Sequence, residues 1–468
     1  MAQVIKFGTD GWRAVIADDF TFDNVRRVAL ATARHFKRHP KVRNGIVVGY
    51  DARFMSREFA EVTAETIANQ GIRVLLADSI VSTPMVSLMT KQDAAAAGIV
   101  ITASHNPAKW NGFKIKGEFG GPAHPEMVAR VERELAKVMA LKRLPEGGVP
   151  FGKLVSKGKI RLVNMRDRYI EDLRTKVDVA RIRSSGVRML FDAMHGSGMG
   201  VMGQFLPDVV EMRGDFNPSF EGSNPEPLAH NLVELSRRVP AEQFGIGIAT
   251  DGDADRVGAV DGSGAFVDSH RIFSLLLKYF VEQRGMTGEV AKSFSVTTMV
   301  DEQCRRYGIP MHETAVGFKH LARLMTERDI LIAGEESGGL GVKGHLPERD
   351  GVLLGLLLCE MMAVRGKSLA ELVEELFAEF GRRVFKRVDL HITEKEKQAI
   401  MRRVTRGLKE IAGRPVTGRS DTDGVKYFVD RGWVLVRASG TEPLVRFYAE
   451  AESGAAVDAM LGALTGAR

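Results

Sequence analysis

Cysteine is nearly absent: Cys304 and Cys359 are the only 2 thiols in 468 residues. Neither lies in a stretch with metal-ligand spacing, so disulfide-stapled and zinc-cluster folds are excluded, and two packed thiols suit a reducing cytoplasm. Long hydrophobic runs are lacking too. The longest apolar stretch, Gly351 to Val364, is interrupted by Glu360 and is too short to span a bilayer. It reads as a buried helix in a soluble protein with no membrane partner. The opening segment Met1 to Asp10 has no apolar run after a basic one, so no secretory signal is expected there. Nor does charge of one sign gather in a block. The 66 Lys and Arg are scattered among 59 Asp and Glu for a net +7. No nucleic-acid module accompanies that excess, and a moderate positive field fits a small anionic substrate.

What is present is enough apolar material, 44% of residues, for several cores, and a chain of this length divides into about three or four domains. Gly45 to Tyr50, Arg73 to Ala77 and Gly98 to Ala103 read as buried strands, with helices from about Asp23 and from Ser56, which is expected to cap the second. Strand and helix alternate as in a doubly wound α/β unit. Met127 to Met139 reads as a helix and the Pro/Gly-rich Leu144 to Gly152 as a linker. The pattern restarts twice. Strands at Val187 to Phe191 and Phe244 to Ala249, then near Glu289 to Val296 and at Ile330 to Ala333, again end in polar loops. After Ser368 the character changes. Two Ser/Thr-x-x-Glu capping boxes and a hairpin at Asp430-Arg431-Gly432 mark a small antiparallel α+β domain. The expectation is three related doubly wound α/β domains, 1–150, 151–262 and 263–380, plus a C-terminal antiparallel α+β domain, 381–468, around a central cleft.

The strand ending at Ala103 delivers Ser104 into a turn stopped by Asn106-Pro107, at the carboxyl end where open α/β sheets bind ligands. Thr102-Ala103-Ser104-His105-Asn106-Pro107 resembles the phosphoserine loop of the α-D-phosphohexomutases. Further stretches match that family in order, so the resemblance covers Phe7 to about Tyr448. Phe7-Gly8-Thr9-Asp10-Gly11-Trp12-Arg13 resembles its opening motif, Asn111-Gly112-Phe113-Lys114 the stretch whose lysine lies beside the transferring phosphoryl group, and Asp251-Gly252-Asp253-Ala254-Asp255-Arg256 its metal loop. Gly334-Glu335-Glu336-Ser337-Gly338-Gly339 resembles the sugar loop, and Arg437-Ala438-Ser439-Gly440-Thr441-Glu442-Pro443 the phosphate-binding loop.

The resemblance implies catalytic roles for Ser104, His105, Lys114 and Arg13, and a Mg²⁺ held by Ser104, Asp251, Asp253 and Asp255. The residues support the ion independently. Alternating carboxylates repel unless a cation sits among them, an extended segment points them to one side, and oxygen ligands suit a hard ion. An EF-hand is excluded because Arg256 and Gly262 stand where it needs Gly and Glu. Glu335 and Ser337 are the expected contacts to the hexose 3- and 4-hydroxyls, and Arg256, Arg437, Ser439, Gly440, Thr441 and Arg446 the expected phosphate contacts, with Lys319 a further substrate candidate. Many family members end the sugar loop in His, whereas Gly339 stands here; His345 and Arg349 are candidates for the missing cationic contact or for buried structural roles. The implied function is interconversion of hexose 1- and 6-phosphates, glucose preferred and mannose accepted, through phosphoserine and glucose 1,6-bisphosphate. A phosphoglucosamine mutase, or a hydrolase passing the same phosphoenzyme to water, are the competing readings. The partner is a small hexose phosphate, not nucleic acid, with the oligomeric state open.

Overall fold

The computed structural model describes residues 5–8, 10–145, 147–438 and 444–465. Four sheets carry the chain. The first has 7 strands in the order β1-β5-β4-β2-β3-β7, with β6 pairing β5. These are β1 (Trp12–Val15), β2 (Ile46–Tyr50), β3 (Val74–Ala77), β4 (Ala97–Ile101), β5 (Trp110–Gly117), β6 (Gly121–Pro122) and β7 (Ile160–Val163). β4 is buried along its whole length. It runs parallel to β2 and antiparallel to β5, so a β-branched apolar run is what both of its faces require.

The second sheet is ordered β12-β11-β10-β8-β9 and the third β14-β13-β15-β16. Their strands are β8 (Met189–Asp192), β9 (Val210–Met212), β10 (Ile246–Thr250), β11 (Val257–Asp261), β12 (Phe266–Val267), β13 (Glu289–Ser293), β14 (Met311–Thr314), β15 (Ile330–Gly334) and β16 (Leu340–Val342). The fourth is an antiparallel meander, β17-β22-β21-β20-β19-β18. It comprises β17 (Val384–His391), β18 (Glu410–Ile411), β19 (Arg414–Ser420), β20 (Val425–Val429), β21 (Gly432–Ala438) and β22 (Leu444–Ala451). Three α/β domains and a C-terminal antiparallel domain are therefore present, as the pattern implied.

Side chains from the three α/β domains merge into one core, while Val404, Tyr427, Val436, Phe447 and Leu461 belong to a separate core in the fourth. The apolar stretch at 351–364 is the buried helix Gly351–Arg365, capped by Asp350 and ended by Gly366 at φ 61°. Its one acid is satisfied: Glu360 accepts from the Tyr279 hydroxyl at 2.5 Å and from the Asp178 amide at 3.0 Å. Both capping boxes form, at Ser368/Glu371 and Thr393/Glu396. Among the described residues, no helix is long and apolar enough to cross a membrane.

Two local expectations are corrected. Ser56 does not cap its helix; Met55, at φ 57°, holds that position, and the Ser56 hydroxyl instead donates to Asp51 Oδ1 at 2.8 Å. The Pro/Gly-rich stretch does not end the first sheet, because the short helix Phe151–Ser156 follows and β7 then pairs in parallel with β3.

Candidate active site

Beyond β4 the backbone amide of Ser104 bonds the Thr102 hydroxyl at 2.9 Å, and Ser104 itself sits at φ 53°, a left-handed conformation that a non-glycine residue adopts only when its surroundings impose it. Arg53 imposes it. Its buried guanidinium donates to the carbonyls of Ser104 (2.5 Å), Asn106 (2.6 Å), Pro107 (2.9 Å) and Trp110 (3.0 Å). Asp51 faces it across 3.3 Å. A planar fork with several fixed donors can hold such a carbonyl cluster, which a lysine cannot span. The turn aims the Ser104 hydroxyl at Asp251 Oδ2, 2.8 Å away, with His105 Nδ1 at 3.4 Å. The two loops meet so closely that a Cβ on Gly252 would lie 2.4 Å from the Ser104 carbonyl oxygen.

Asp251, Asp253 and Asp255 are fully buried beyond β10, and one carboxylate oxygen from each lies within 4.8 Å of the others. They converge by a turn, not by the extended alternation expected from spacing. Ala254 takes φ 55°, and Asp251 Oδ1 accepts the amides of Asp255 (2.9 Å) and Arg256 (3.1 Å). Lys114 reaches Asp253 at 2.7 Å, Asp255 at 3.4 Å and Asp10 at 2.9 Å. Burial alone would push its ammonium down, but the three carboxylates outweigh that and hold it above the ordinary lysine value. Burial also pushes Asp253 up, and Lys114, together with Thr83 and Arg349, more than reverses it. Asp251 stays well above the usual carboxylate range, through burial and the repulsion of Asp255 and Asp253. Asp253 Oδ1 and Asp255 Oδ1 are buried with no hydrogen-bond partner among the described residues. Orphaned carboxylate oxygens at this spacing are what a hard divalent cation satisfies, so the donor set fits a metal.

Ser104, Lys114 and the three aspartates are themselves buried, while the adjoining His105, Asn106 and Arg256 line a cleft of about 510 Å³ together with Arg13. Arg13 donates to Asn106 Oδ1 at 2.6 Å and Arg256 to Glu226 at 2.9 Å. Burial and the surrounding cations, Arg256 foremost, keep His105 well below the ordinary histidine value. Glu335, Ser337 and Lys319 line the cleft from the third domain. Glu335 Oε1 accepts the Gly317 amide at 2.9 Å, and burial, only partly offset by Arg349, pushes this carboxyl up to about 7.

From the fourth domain come Arg437 and Arg446, opposite each other on β21 and β22. Arg437 bonds Asp423 at 2.9 Å and Arg446 bonds Asp389 at 3.4 Å. Ser439, Gly440 and Thr441 lie outside the described residues.

Four domain models of one family match the chain in order. They are the phosphoglucomutase/phosphomannomutase α/β/α domain I over residues 4–142, domain II over 167–264, domain III over 268–380 and the C-terminal domain over 391–466. The chain belongs to the phosphoglucomutase/phosphomannomutase family. It is 30% identical over 451 residues to a phosphoglucomutase/phosphomannomutase of Thermococcus kodakarensis, covering 96% of this chain and 94% of that protein. It is also 30% identical over 453 residues to a phosphoglucosamine mutase of Carboxydothermus hydrogenoformans, covering 95% and 94%. A crystal structure from Thermus thermophilus, provisionally named a phosphomannomutase, superposes with a TM-score of 0.86 at 34% identity over 100% of this chain and 99% of that one.

Within this phosphohexomutase frame the two extra cationic candidates part company. Arg349 enters the cleft, bonding Asp10 at 2.7 Å and Asp255 at 2.5 Å with Glu335 3.6 Å away. It fills the volume a side chain at Gly339 would need, since a Cβ there would lie 2.2 Å from Arg349 Cδ. His345 is not brought to the cleft. Two carboxylates claim its ring nitrogens, Asp350 at 2.9 Å and Asp172 at 3.5 Å. Sequence reasoning missed Arg53, Asp10 and Arg387. Arg387 lines the cleft and grips Asp389 with both ends of its fork, at 2.7 and 2.6 Å. Asp10 stands inside the opening motif and was legible there; Arg53 follows a buried strand as Asp51-Ala52-Arg53, a charged pair where the chain leaves the core; nothing local marks Arg387.

Proposed function

We propose that the chain interconverts glucose 1-phosphate and glucose 6-phosphate, and accepts mannose phosphates, through a phosphoserine at Ser104 and a hexose 1,6-bisphosphate. The observation that carries this reading is the Ser104 hydroxyl directed into the buried aspartate triad, with the adjoining His105, Asn106 and Arg256 lining a cleft that Glu335, Ser337, Arg437 and Arg446 also line. One end suits a transferring phosphoryl group, the middle a sugar and the other end a resting phosphate.

Phosphoryl transfer needs in-line positioning and cations around the equatorial oxygens. In the first half-reaction the bond from phosphorus to Ser104 Oγ breaks as the sugar hydroxyl attacks, and the hydroxyl proton leaves to a base in the cleft. The bisphosphate then turns over, and the second half-reaction runs the same exchange in reverse from its other phosphate. Arg13 and Lys114 serve the reacting group as fixed cations, and Lys114 is our candidate for the general acid/base or its electrostatic helper. Asp251, Asp253 and Asp255, with Ser104, are the residues that would hold Mg²⁺, which when bound neutralises charge on the transferring oxygens. Glu335 and Ser337 are assigned to the sugar 3- and 4-hydroxyls, a pair that the turned-over ring can offer again in nearly the same place. A dephosphorylated enzyme regains its phosphate from added glucose 1,6-bisphosphate.

A phosphoglucosamine mutase is the second reading, favoured by the relatives that carry that name. The loop position that ends in His in many family members is here a glycine packed against the Arg349 side-chain carbons, so that position offers a 2-ammonium no acceptor. Comparing kcat/KM for glucose, mannose and glucosamine 1-phosphates tests the choice. Glucose and mannose should differ by up to roughly tenfold, one hydrogen bond's worth, with glucosamine poorest; a preference for glucosamine 1-phosphate would overturn it.

A further inference from the structure

We propose that Asp423 is a positioning residue that couples the sugar-facing loop of the third domain to the arginine cluster of the fourth. The inference rests on the mutase reading of the cleft. One oxygen makes the link: Asp423 Oδ2 accepts from Arg437 Nε at 2.9 Å and from the Val316 amide, across the domain boundary, also at 2.9 Å. At the next peptide, the Gly317 amide donates to Glu335 Oε1 at 2.9 Å. A run of three hydrogen bonds therefore joins the phosphate-facing guanidinium to the sugar-facing carboxylate. The turn that presents Asp423 is built for it. Gly424 follows at φ 100°, and a Cβ there would lie 2.5 Å from the Val436 carbonyl oxygen, so only glycine lets the turn close on β21.

A second set of contacts across this domain boundary, the pivot, lies away from Asp423. Lys426, fully buried, donates to the Phe294 carbonyl at 2.8 Å with its ammonium 4.2 Å from the Trp433 ring centroid. Glu450, also fully buried, accepts from the Thr298 amide (3.1 Å), the Thr298 hydroxyl (2.9 Å) and Trp433 Nε1 (3.0 Å). Both contacts fall on the segment 294–298. Asp423 is only partly buried and sits where Val316 and Arg437 both line the cleft. The pivot holds the fourth domain on the third; Asp423 sets where the arginines stand relative to the sugar loop. Its substitution leaves every pivot contact intact, so the domain stays docked while its orientation loosens.

Asp423→Ala and Asp423→Asn test this by amide hydrogen exchange on the ligand-free protein and by steady-state kinetics with glucose 1-phosphate. The alanine variant should speed exchange at 316–317 while 294–298 keeps its wild-type protection, which also reports that the domain is still folded and docked. Its KM should rise about tenfold with kcat within about threefold, the pattern of lost uniform binding, and the isosteric asparagine should recover part of the loss. In an Arg437→Ala background the same substitution should raise KM by less than it does alone. Unchanged exchange at 316–317, a fall in kcat at constant KM, or strictly additive KM effects would each overturn the proposal. The exchange arm needs no turnover, so failure of the mutase reading is separable from failure of this one.

Discussion

Replacing Gly339 by alanine should be far more costly than the single added methyl suggests. The new Cβ would lie 2.2 Å from Arg349 Cδ and 2.9 Å from its Cγ, so either the loop or the arginine must move. The loop has little freedom. Gly338 stands at φ 90° with its own Cβ position 2.6 Å from the Val257 carbonyl, and the Gly339 carbonyl accepts the Glu335 amide at 3.1 Å. The arginine therefore leaves, and because Cγ and Cδ are mid-chain atoms, the guanidinium leaves with them. Asp10 and Asp255 then lose a buried partner, a loss worth about 3–5 kcal/mol when one member of a buried pair is removed. Simple overpacking would cost about 1–3 kcal/mol. Denaturant unfolding of Gly339→Ala measures the difference, with kcat/KM followed alongside because Asp255 belongs to the buried aspartate triad. In an Arg349→Ala background the same glycine change should cost almost nothing further. A cost below about 0.5 kcal/mol in the wild-type background, the ordinary surface range, or an equal cost in both backgrounds, would refute the steric argument.

Asp253→Asn should remove Mg²⁺-dependent turnover by at least about a hundredfold, or ~2.7 kcal/mol of barrier; titration calorimetry checks ion binding, and activity that survives both chelator and substitution would exclude the triad. The same variant should unfold more easily than wild type in denaturant, because Lys114 loses the carboxylate 2.7 Å away. His345 supplies a pH-dependent element of stability. Burial pushes its ring down, but the facing carboxylates of Asp172 and Asp350 more than offset that, so its folded value is raised. The stabilisation is complete below the unfolded value of about 6.5 and fades as pH rises through the folded value. Unfolding midpoints of His345→Gln should lack this decline on the alkaline side, and an identical pH profile in both proteins would remove His345 from it.

The strands, the buried helix Gly351–Arg365 and the capping boxes were legible because each is set by local pattern: apolar runs, a Ser or Thr three residues before Glu, a glycine past the end. Domain succession was legible for the same reason. What escaped was set by partners distant in sequence. Arg53 owes its role to carbonyls at 104, 106, 107 and 110, none of which a window around it contains, and Arg387 stacks on Tyr448 of β22 besides pairing Asp389 two residues on. The aspartate triad was found for a partly wrong reason. Its spacing suggested an extended strand, while the chain converges the carboxylates through a turn closed by Asp251 itself. Of the two readings offered for His345, a cationic contact or a buried structural role, the structure shows the second, with Asp172 and Asp350 at its ring nitrogens.

In the proposed reaction Ser104 carries the phosphoryl group between two positions of one sugar. Wild type and Ser104→Ala are incubated with glucose 1-phosphate, Mg²⁺ and a trace of glucose 1,6-bisphosphate. Glucose 6-phosphate and free phosphate are followed together, and intact mass is recorded for both proteins. A mutase acting through Ser104 gives glucose 6-phosphate without matching release of free phosphate, one phosphate on the wild-type chain, and neither turnover nor added mass in the variant. Free phosphate released in step with substrate loss, or equal phosphate content in the two proteins, would contradict it.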